Sequence, residues 1–452
     1  MQPSLKDLRA TALRLQQAGK LTEALPAYSG YLNAAPRDAT MWSNLGALHR
    51  AAGRHRQALR AHRRAVAIAP DIVSYKNNLA NVLSDIGRYD ESIAVRQDIL
   101  STNPDDLNHK AMIGRCLRGK GDYHAAIDYL QAAIADHPED TELRMQLSFA
   151  QLGAGDYATA FETYRVRWEA GELKPRDVPF PEWTGEPLDG KTVLVMPEQG
   201  FGDAVLFSRF VKTLKTTGAT VLVMAEKPLL QLFEGLEGAD WVGLQLSKSA
   251  PVDFWINMMD LAALHFADSN DVPVPTKLTI PDASRDRARA IIKPYPDVFK
   301  IGVIWTGSAT YKGNAFRSFS HTDFLPLTDI AGVQLFSLYK GPFLDAFEAD
   351  GSSAFMVDAG RTETGFADCA AMMEEMDLII TSDTATAHIA GSLGVPTWTV
   401  LHWDAFWVWR HEGDTTQWYP GMRLFRQKTP LIWDGVMQEV QDALLTKMKE
   451  HV

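Results

Sequence analysis

Thr381-Ser-Asp-Thr-Ala-Thr-Ala-His-Ile-Ala-Gly-Ser-Leu-Gly-Val-Pro396 is the stretch on which the fold class turns. The apolar run Leu378-Ile379-Ile380 ahead of it predicts a buried strand that stops at Thr381-Ser382-Asp383. The alanine-rich segment from Thr384 to Leu393 predicts a helix closed by Gly394 and Pro396. Strand, short polar turn and helix is the unit that leaves free N–H groups at the carboxyl edge of a parallel sheet. Such a helix start attracts phosphate, because its first amides lack partners and the helix dipole is positive there. Small residues at Thr384, Ala385 and Thr386 let a ligand approach the backbone, and His388 falls one turn down on the same face. The same pattern also suits an ordinary β-α unit with a capping Asp and a packed His.

Working outward, the rest of the second half of the chain alternates strands and helices, which indicates parallel sheets covered on both faces. Strands are expected at Thr192–Met196, Thr220–Met224, Asp240–Leu244 and Phe254–Met258, with a helix near 283–292. After the join Lys293-Pro-Tyr-Pro-Asp297, strands are expected at Phe299–Trp305, Val333–Leu338, Ala354–Val357, Leu378–Thr381 and Thr397–Leu401. Two doubly wound halves, 191–295 and 296–452, fit ordinary domain sizes. Ligands in such folds bind at the carboxyl ends of strands, so two facing halves imply a cleft. A closing helix is expected from Trp433 to about Lys449, one that in two-halved folds of this kind commonly crosses back to the first half.

The first third is a repeat. Gly19, Gly53, Gly87, Gly121 and Gly155 recur every 34 residues, as do Ala24, Ala58, Ala126 and Ala160, with Ser92 in the gap. Pro36, Pro70, Pro104 and Pro138 keep the same step. This is the tetratricopeptide period, a helix, a Gly turn, a second helix and a Pro stop in each unit. Five units are expected over residues 1–172, stacked into a superhelix with a concave groove. Asn44, Asn78, Lys110 and Arg144 stand at repeat-equivalent positions on first helices and are candidates to line that groove. A rigid spacer or dimer surface is the plainer use of such an array. The segment 173–190 is rich in Pro and Gly and reads as a stiff linker, with Trp183 pinning it to the next domain. Array and second half are therefore expected in a fixed relation. The fold class is α + α/β.

Composition narrows the functions. A net charge of −11 in 452 residues argues against general nucleic-acid binding. The acid excess lies after the repeats, whereas Arg50, Arg54, Arg56, Arg60, Arg63 and Arg64 make one basic face, either solvated or able to grip an acidic partner. The N-terminus lacks the apolar core of a signal peptide, and no run nears the ~20 apolar residues that span a membrane. Cys116 and Cys369 show no metal-type spacing, so a cytoplasmic setting is expected.

Which chemistry suits the cleft follows partly by elimination. Gly200-Phe-Gly-Asp203 lacks the third glycine of a dinucleotide fingerprint. Walker, His-Glu-x-x-His, Gly-x-Ser-x-Gly and Asp-x-Asp motifs are absent. What remains is a carboxylate, Asp203, in a Gly-rich turn of the first half, and the Asp383-Thr384 helix start in the second. A base opposite a diphosphate leaving group is what a single-displacement sugar transfer needs. Asp203 in such a turn can equally be the cap of its own helix. Trp398, Trp403, Trp407, Trp409 and Trp418 gather five of the chain's 12 tryptophans in one region that begins in the last expected strand and runs on beyond it. Core packing is the common fate of Trp, yet Trp403 and Trp407 are candidates to stack on a sugar or base. Lys340, at another strand end, is either a phosphate-neutralising group or simply exposed.

Gly-x-Gly-Asp after a first strand, paired with Ser-Asp-Thr-x-x-x-His-x-Ala-x-x-x-Gly-x-Pro, resembles the ADP-heptose:lipopolysaccharide heptosyltransferase family. The chain is similar still to bacterial proteins that fuse tetratricopeptide repeats to such a glycosyltransferase half, some of which modify flagellin, and to O-GlcNAc transferase. The resemblance implies a GT-B fold and a metal-independent, inverting glycosyltransferase that needs no cofactor beyond its nucleotide-sugar donor. It implies a base at Asp203, donor contacts at Asp383, Thr384, Ala385 and His388, and a phosphate-binding cation at Lys312 or Arg317. The family has Gly where this chain has Ala385. The array would recruit a protein acceptor, flagellin among the options, for transfer to Ser or Thr. A glycan or lipopolysaccharide acceptor is the second reading, and a non-catalytic scaffold the third.

Overall fold

The computed structural model describes residues 3–171, 173, 176–247, 250–311 and 313–451. Contacts divide the chain into two compact units, Met1–Ala150 and Gln151–Val452.

The first unit is built of antiparallel helix pairs: α1 (Leu5–Gln17) with α2 (Leu21–Ala34), α3 (Ala39–Ala51) with α4 (His55–Ile68), α5 (Val73–Asp85) with α6 (Tyr89–Thr102), and α7 (Leu107–Gly119) with α8 (Tyr123–Asp136). The 34-residue period has a backbone cause. Gly19, Gly53, Gly87, Gly121 and Gly155 all end first helices with φ between 69° and 84°, a left-handed conformation that glycine adopts without steric cost. Asp38 and Asp106 cap α3 and α7, accepting from Met41 N at 3.0 Å and His109 N at 3.1 Å. Ala24, Ala58, Ser92, Ala126 and Ala160 are all completely buried.

A second register explains how paired helices approach. Tyr28, His62, Arg96, Leu130 and Tyr164 also recur every 34 residues. A Cβ on Gly46 would lie 2.5 Å from His62 Cε1, and one on Gly114 would lie 2.5 Å from Leu130 Cδ2. Large side chains on second helices thus fill space left by small residues on first helices, the complementarity that close packing requires.

The helix α9 (Thr141–Ala154) runs across the unit boundary, and α10 (Tyr157–Tyr164) lies wholly in the second unit. There Tyr157 and Phe161 pack on Phe266, with centroids 5.0 and 5.6 Å away, and on Trp407, at 5.9 Å each. Tyr157 Oη accepts from Trp418 Nε1 at 3.0 Å and from Gln417 Nε2 at 2.8 Å.

The rest of the second unit holds two parallel sheets. The first half runs β1 (Thr192–Met196), α11 (Phe201–Phe207), α12 (Val211–Thr216), β2 (Thr220–Met224), β3 (Trp241–Gly243), β4 (Phe254–Asn257), α13 (Leu261–Phe266) and α14 (Asp282–Ile292). Its strand order is β3-β2-β1-β4, with Val193 opposite both Val221 and Phe254. The second half runs β5 (Phe299–Ile304), α15 (Asn314–Arg317), β6 (Val333–Ser337), α16 (Leu344–Ala349), β7 (Met356–Asp358), α17 (Phe366–Glu374), β8 (Leu378–Ser382), α18 (Ala385–Leu393), β9 (Thr397–Leu401), β10 (Met422–Arg426) and α19 (Asp434–His451). Its order is β10-β9-β8-β5-β6-β7. In both sheets the order reverses beside the first strand, between β1 and β4 and between β5 and β8. That reversal opens a crevice at the carboxyl ends, where ligands of doubly wound sheets bind.

Two helices depart from expectation. The helix α14 precedes the Lys293–Asp297 join, yet it packs on α17 of the second half: Ser284 Oγ donates to Asp368 at 2.8 Å, and Arg285 pairs with Glu374 at 2.8 Å. Its small, charged sequence matches that acidic helix better than the first sheet. The closing helix, expected to cross back, packs instead near β10 and the segment His321–Asp329, where Gln441 reaches the Pro326 carbonyl. No helix among the described residues is long and apolar enough to cross a membrane.

Candidate functional site

The turn after β1 rises through Pro197, Glu198 and Gln199 into α11. Gln199 sits at φ 60°, where a residue with a Cβ is rarely found. Gly200 N donates to Asp203 Oδ2 at 3.1 Å, so Asp203 does cap its own helix. The cap does not exhaust the group. Asp203 is only partly exposed, in a crevice whose burial pushes its carboxyl up to about 6; the charges of Asp383 and Glu198 push the same way, against the Gly200 hydrogen bond.

The start of α18 meets that turn directly. A Cβ on Gly202 would lie 3.0 Å from His388 Cδ2 and 3.3 Å from Ala385 Cα. The two motifs, far apart in sequence, therefore pack on one another because both have small residues at the contact. Thr384 takes the N-cap position, but no side chain caps α18. The Thr384 hydroxyl bonds instead to Thr386 Oγ1 at 2.6 Å, which also meets Thr381 Oγ1 at 2.9 Å. Asp383 is not the cap that an ordinary β-α unit would use. Of the first-turn amides, Ala387 N already donates to the Thr384 carbonyl at 3.0 Å, and those before it can face an anion, the arrangement that binds phosphate elsewhere. Ser382 Oγ, at the end of β8, and His402 Nδ1, just beyond β9, are buried without partners, so polar capacity remains unused at this edge.

His388 is 4% exposed. Its Nδ1 lies 3.1 Å from Tyr419 Oη, and its ring stacks on Trp409 at 5.3 Å. Burial drives its pKa down to about 4, although Asp383 pulls the other way. At neutral pH its ring is uncharged and able to hydrogen-bond. Arg317 closes α15. Its guanidinium lies over Tyr311 at 4.6 Å, and its Nε donates to Asn314 Oδ1 at 3.3 Å. A Cβ on Gly307 would come within 2.8 Å of Thr384 Cγ2 and 2.9 Å of Arg317 Nη2, so only glycine lets the cation and the α18 start flank this loop so closely.

Asp203, Asp383, Thr384, Ala385, His388 and Arg317 thus gather at one crevice. Lys312 lies outside the described residues. Lys340 is exposed and donates to the Glu363 carbonyl, at the end of β6, two strands from β8. Trp403 is half-buried, with Phe316 6.2 Å and His402 5.7 Å away. Trp407 is not a stacking platform: its ring is buried among Tyr157, Phe161, Phe207 and Trp418. The ring against His388 is Trp409, from the same tryptophan-rich stretch. Composition located that stretch, but only packing could tell its members apart. In the first unit Asn44, Asn78, Lys110 and Arg144 are half-buried on α3, α5, α7 and α9, and Asn78 donates to Ser43 Oγ at 3.1 Å.

Sequence reasoning missed the group behind the first turn. Arg167, in the 3-10 turn Arg165–Trp168 after α10, grips Glu198 with Nε at 2.6 Å and Nη2 at 2.9 Å, and Asp260 with Nη2 at 2.7 Å. A cavity of about 200 Å³ adjoins it, lined by Trp168, Leu173, Arg176, Pro197, Glu198, Gln199 and Glu226.

Comparison with known proteins identifies residues 4–170 as tetratricopeptide repeat. The chain is 26% identical over 319 residues to Protein FlbA of Caulobacter vibrioides, a match covering 61% of this chain and 52% of that protein. The chain thus spans about half the length of the curated relative it matches. Solved structures similar to part of the chain include MamA 41-end from Desulfovibrio magneticus RS-1, 20% identical over 38% of this chain and 97% of that one, with a TM-score of 0.34. Another is a crystal structure of MamA protein, 17% identical over 38% of this chain and 98% of that one, also at 0.34.

Proposed function

We propose that the second unit transfers a sugar from a nucleotide-sugar donor to a Ser or Thr hydroxyl of a protein that the tetratricopeptide array recruits. One observation carries the reading. The Gly200–Asp203 turn and the Asp383–His388 helix start pack on each other at the order reversals of two parallel sheets. In the proposed step Asp203 takes the acceptor proton as the hydroxyl oxygen bonds to the anomeric carbon. The bond from that carbon to the diphosphate breaks on the opposite face, which inverts the centre. The α18 amides and Arg317 stabilise the charge on the departing nucleotide, and neutral His388 donates or accepts a hydrogen bond without adding charge. A base near pKa 6 suits this role, being largely ionised at neutral pH and still able to hold a proton. Asn44, Asn78, Lys110 and Arg144 are the residues proposed to face the acceptor, with flagellin among the acceptors to try. The reaction is proposed to take place in the cytoplasm.

Thermal unfolding with UDP, GDP, CMP and ADP tests the donor side. A nucleotide at 100 times its Kd adds about 2.7 kcal/mol of stability. Asp203→Asn is expected to cut transfer about 10²- to 10⁴-fold while leaving nucleotide binding intact. Arg317→Ala is expected to weaken nucleotide binding about 10- to 100-fold. Stabilisation by none of the nucleotides would favour a non-catalytic scaffold. Transfer to free glycan but to no protein would favour the glycan-directed reading.

A further inference from the structure

Resting on that reading, we propose that Arg167 is a positioning residue for the Asp203 turn, so that the 3-10 turn following the last helix of the repeat pattern supplies a working part of the transfer site. Arg167 is 2% exposed, and four of its five guanidinium N–H groups are engaged. Nε and Nη2 fork onto the two oxygens of Glu198, Nη2 also reaches Asp260, and Nη1 donates to the Tyr164 carbonyl at 3.1 Å. Its face lies over the Tyr164 ring at 4.8 Å. Such forked, desolvated pairs fix geometry more tightly than single bonds.

Each partner passes the restraint to the turn. Asp260 accepts from Asn257 Nδ2 at 3.1 Å. Asn257 in turn accepts from Arg176 Nε at 2.8 Å, and Arg176 also donates to the Pro197 carbonyl. Gln199 Nε2 donates to Tyr164 Oη at 3.0 Å and to Glu198 Oε1 at 3.3 Å. Pro197, Glu198 and Gln199 are therefore each held from behind, immediately before the Gly200–Asp203 turn. The left-handed Gln199 needs such holding, since a rare backbone conformation persists only where its surroundings over-determine it.

Charge runs along the same path. The charged groups acting on Asp203 are Glu198 and Asp383, with the hydroxyls of Tyr164 and Tyr419 also coupled to it and the His388 ring packed on its turn. Arg167 is the cation that neutralises Glu198. Arg176 also acts on Glu198 and Asp260, but without Arg167 less of their charge is opposed, and the proton on Asp203 is held more tightly.

The test uses the full chain with Arg167→Met, Arg167→Lys and the neutral set Arg167→Met, Glu198→Gln, Asp260→Asn. Amide exchange over residues 199–203 and carbon-13 titration of the Asp203 carboxyl are measured. Arg167→Met is expected to speed exchange at least 10-fold and to raise the Asp203 titration by a pH unit or more. The acid limb of the transfer rate moves up by the same amount. Arg167→Lys is expected to return the titration towards its original value while exchange stays fast, because the charge is restored without the fork. The neutral set should fold and restore the titration, again with a loosened turn. Wild-type exchange and titration in Arg167→Met would overturn the proposal. Should that variant fail to fold, wild-type exchange in the neutral set would overturn it instead. Neither readout needs a donor or an acceptor. If both move as expected while Asp203→Asn transfers normally, the transfer reading fails and the positioning stands; the reverse pattern removes the positioning alone.

Discussion

His62 shows what one side chain can do to a repeat array. It occupies the large-residue register shared with Arg96 and Leu130, completely buried, and neither ring nitrogen has a partner. Burial, helped by Arg50, lowers its pKa to about 4 from 6.5. Because the folded value lies below the unfolded one, protonation favours the unfolded chain. The stability at stake is fully present above about pH 6.5 and is lost as pH falls towards 4, reaching roughly 2 kcal/mol by pH 5. His62→Leu is therefore expected to slow amide exchange in α3 and α4 about 30-fold at pH 5 relative to the parent, with little difference at pH 7.5. An unchanged pH dependence in the variant would show that another group carries it. At this scale the sequence was legible where chemistry depends on residue type in a fixed motif, as for Asp203, Thr384 and His388. It was not legible where burial decides. Trp407 and Trp409 are two residues apart, yet one fills a core and the other backs the candidate site. Arg167 looks like any surface arginine until Glu198 and Asp260 are seen around it.

Between elements, the contact of α11 with α18 constrains the crevice. Gly202→Ala would drive a methyl group against the Ala385 backbone, which cannot rotate away as the tip of a flexible side chain can. The expected result is a separation of the two helix starts, at least 10-fold weaker nucleotide binding and a cost of about 1–3 kcal/mol. Calorimetry of the variant checks both; unaltered nucleotide affinity would mean the two helix starts act independently. In the repeats, Gly114→Ala meets Leu130 at 2.5 Å and is expected to cost a similar 1–3 kcal/mol without touching nucleotide binding, as read from denaturant midpoints. Nine strands were readable from apolar runs of five or so residues, with ends within about two positions. The tenth, β10, was not. Met-Arg-Leu-Phe-Arg carries two charges and directly follows Pro420-Gly421, and it pairs only with β9 at the sheet edge, where polar faces are tolerated. The turn identity of the 34-residue glycines was fully legible, because a left-handed position selects that residue strongly.

For the molecule as a whole, the dividing line matters most for how it is cut. The Pro- and Gly-rich segment 173–190 is the obvious boundary in the sequence, whereas contacts divide the chain between Ala150 and Gln151. The reason is local: Tyr157, Phe161 and Tyr164 are buried residues of the second unit, and Arg167 neutralises two of its carboxylates. A chain of residues 151–452 is expected to melt cooperatively and to keep nucleotide binding while losing modification of a protein acceptor. A chain of residues 173–452 loses at least two large aromatic core residues, each a matter of about 3–5 kcal/mol, and should not fold. Similar melting of both would show that α10 is dispensable. If 151–452 still modified the protein acceptor, the array would not be its recruiter.

The aromatic cluster around α10 also bears on inheritance. An array of like repeats is readily exchanged, lengthened or shortened by unequal crossing-over, since neighbouring units offer similar coding sequence. Crossovers among the first four units leave the second unit's own residues untouched. One that replaced α10 and the turn after it would have to bring Tyr157, Phe161 and Arg167 with it or forfeit the partners of Trp418, Phe266 and Glu198. The final helix of the repeat pattern is therefore expected to descend with the sheets and to diverge from its sister repeats, while the units before it remain free to be reshuffled.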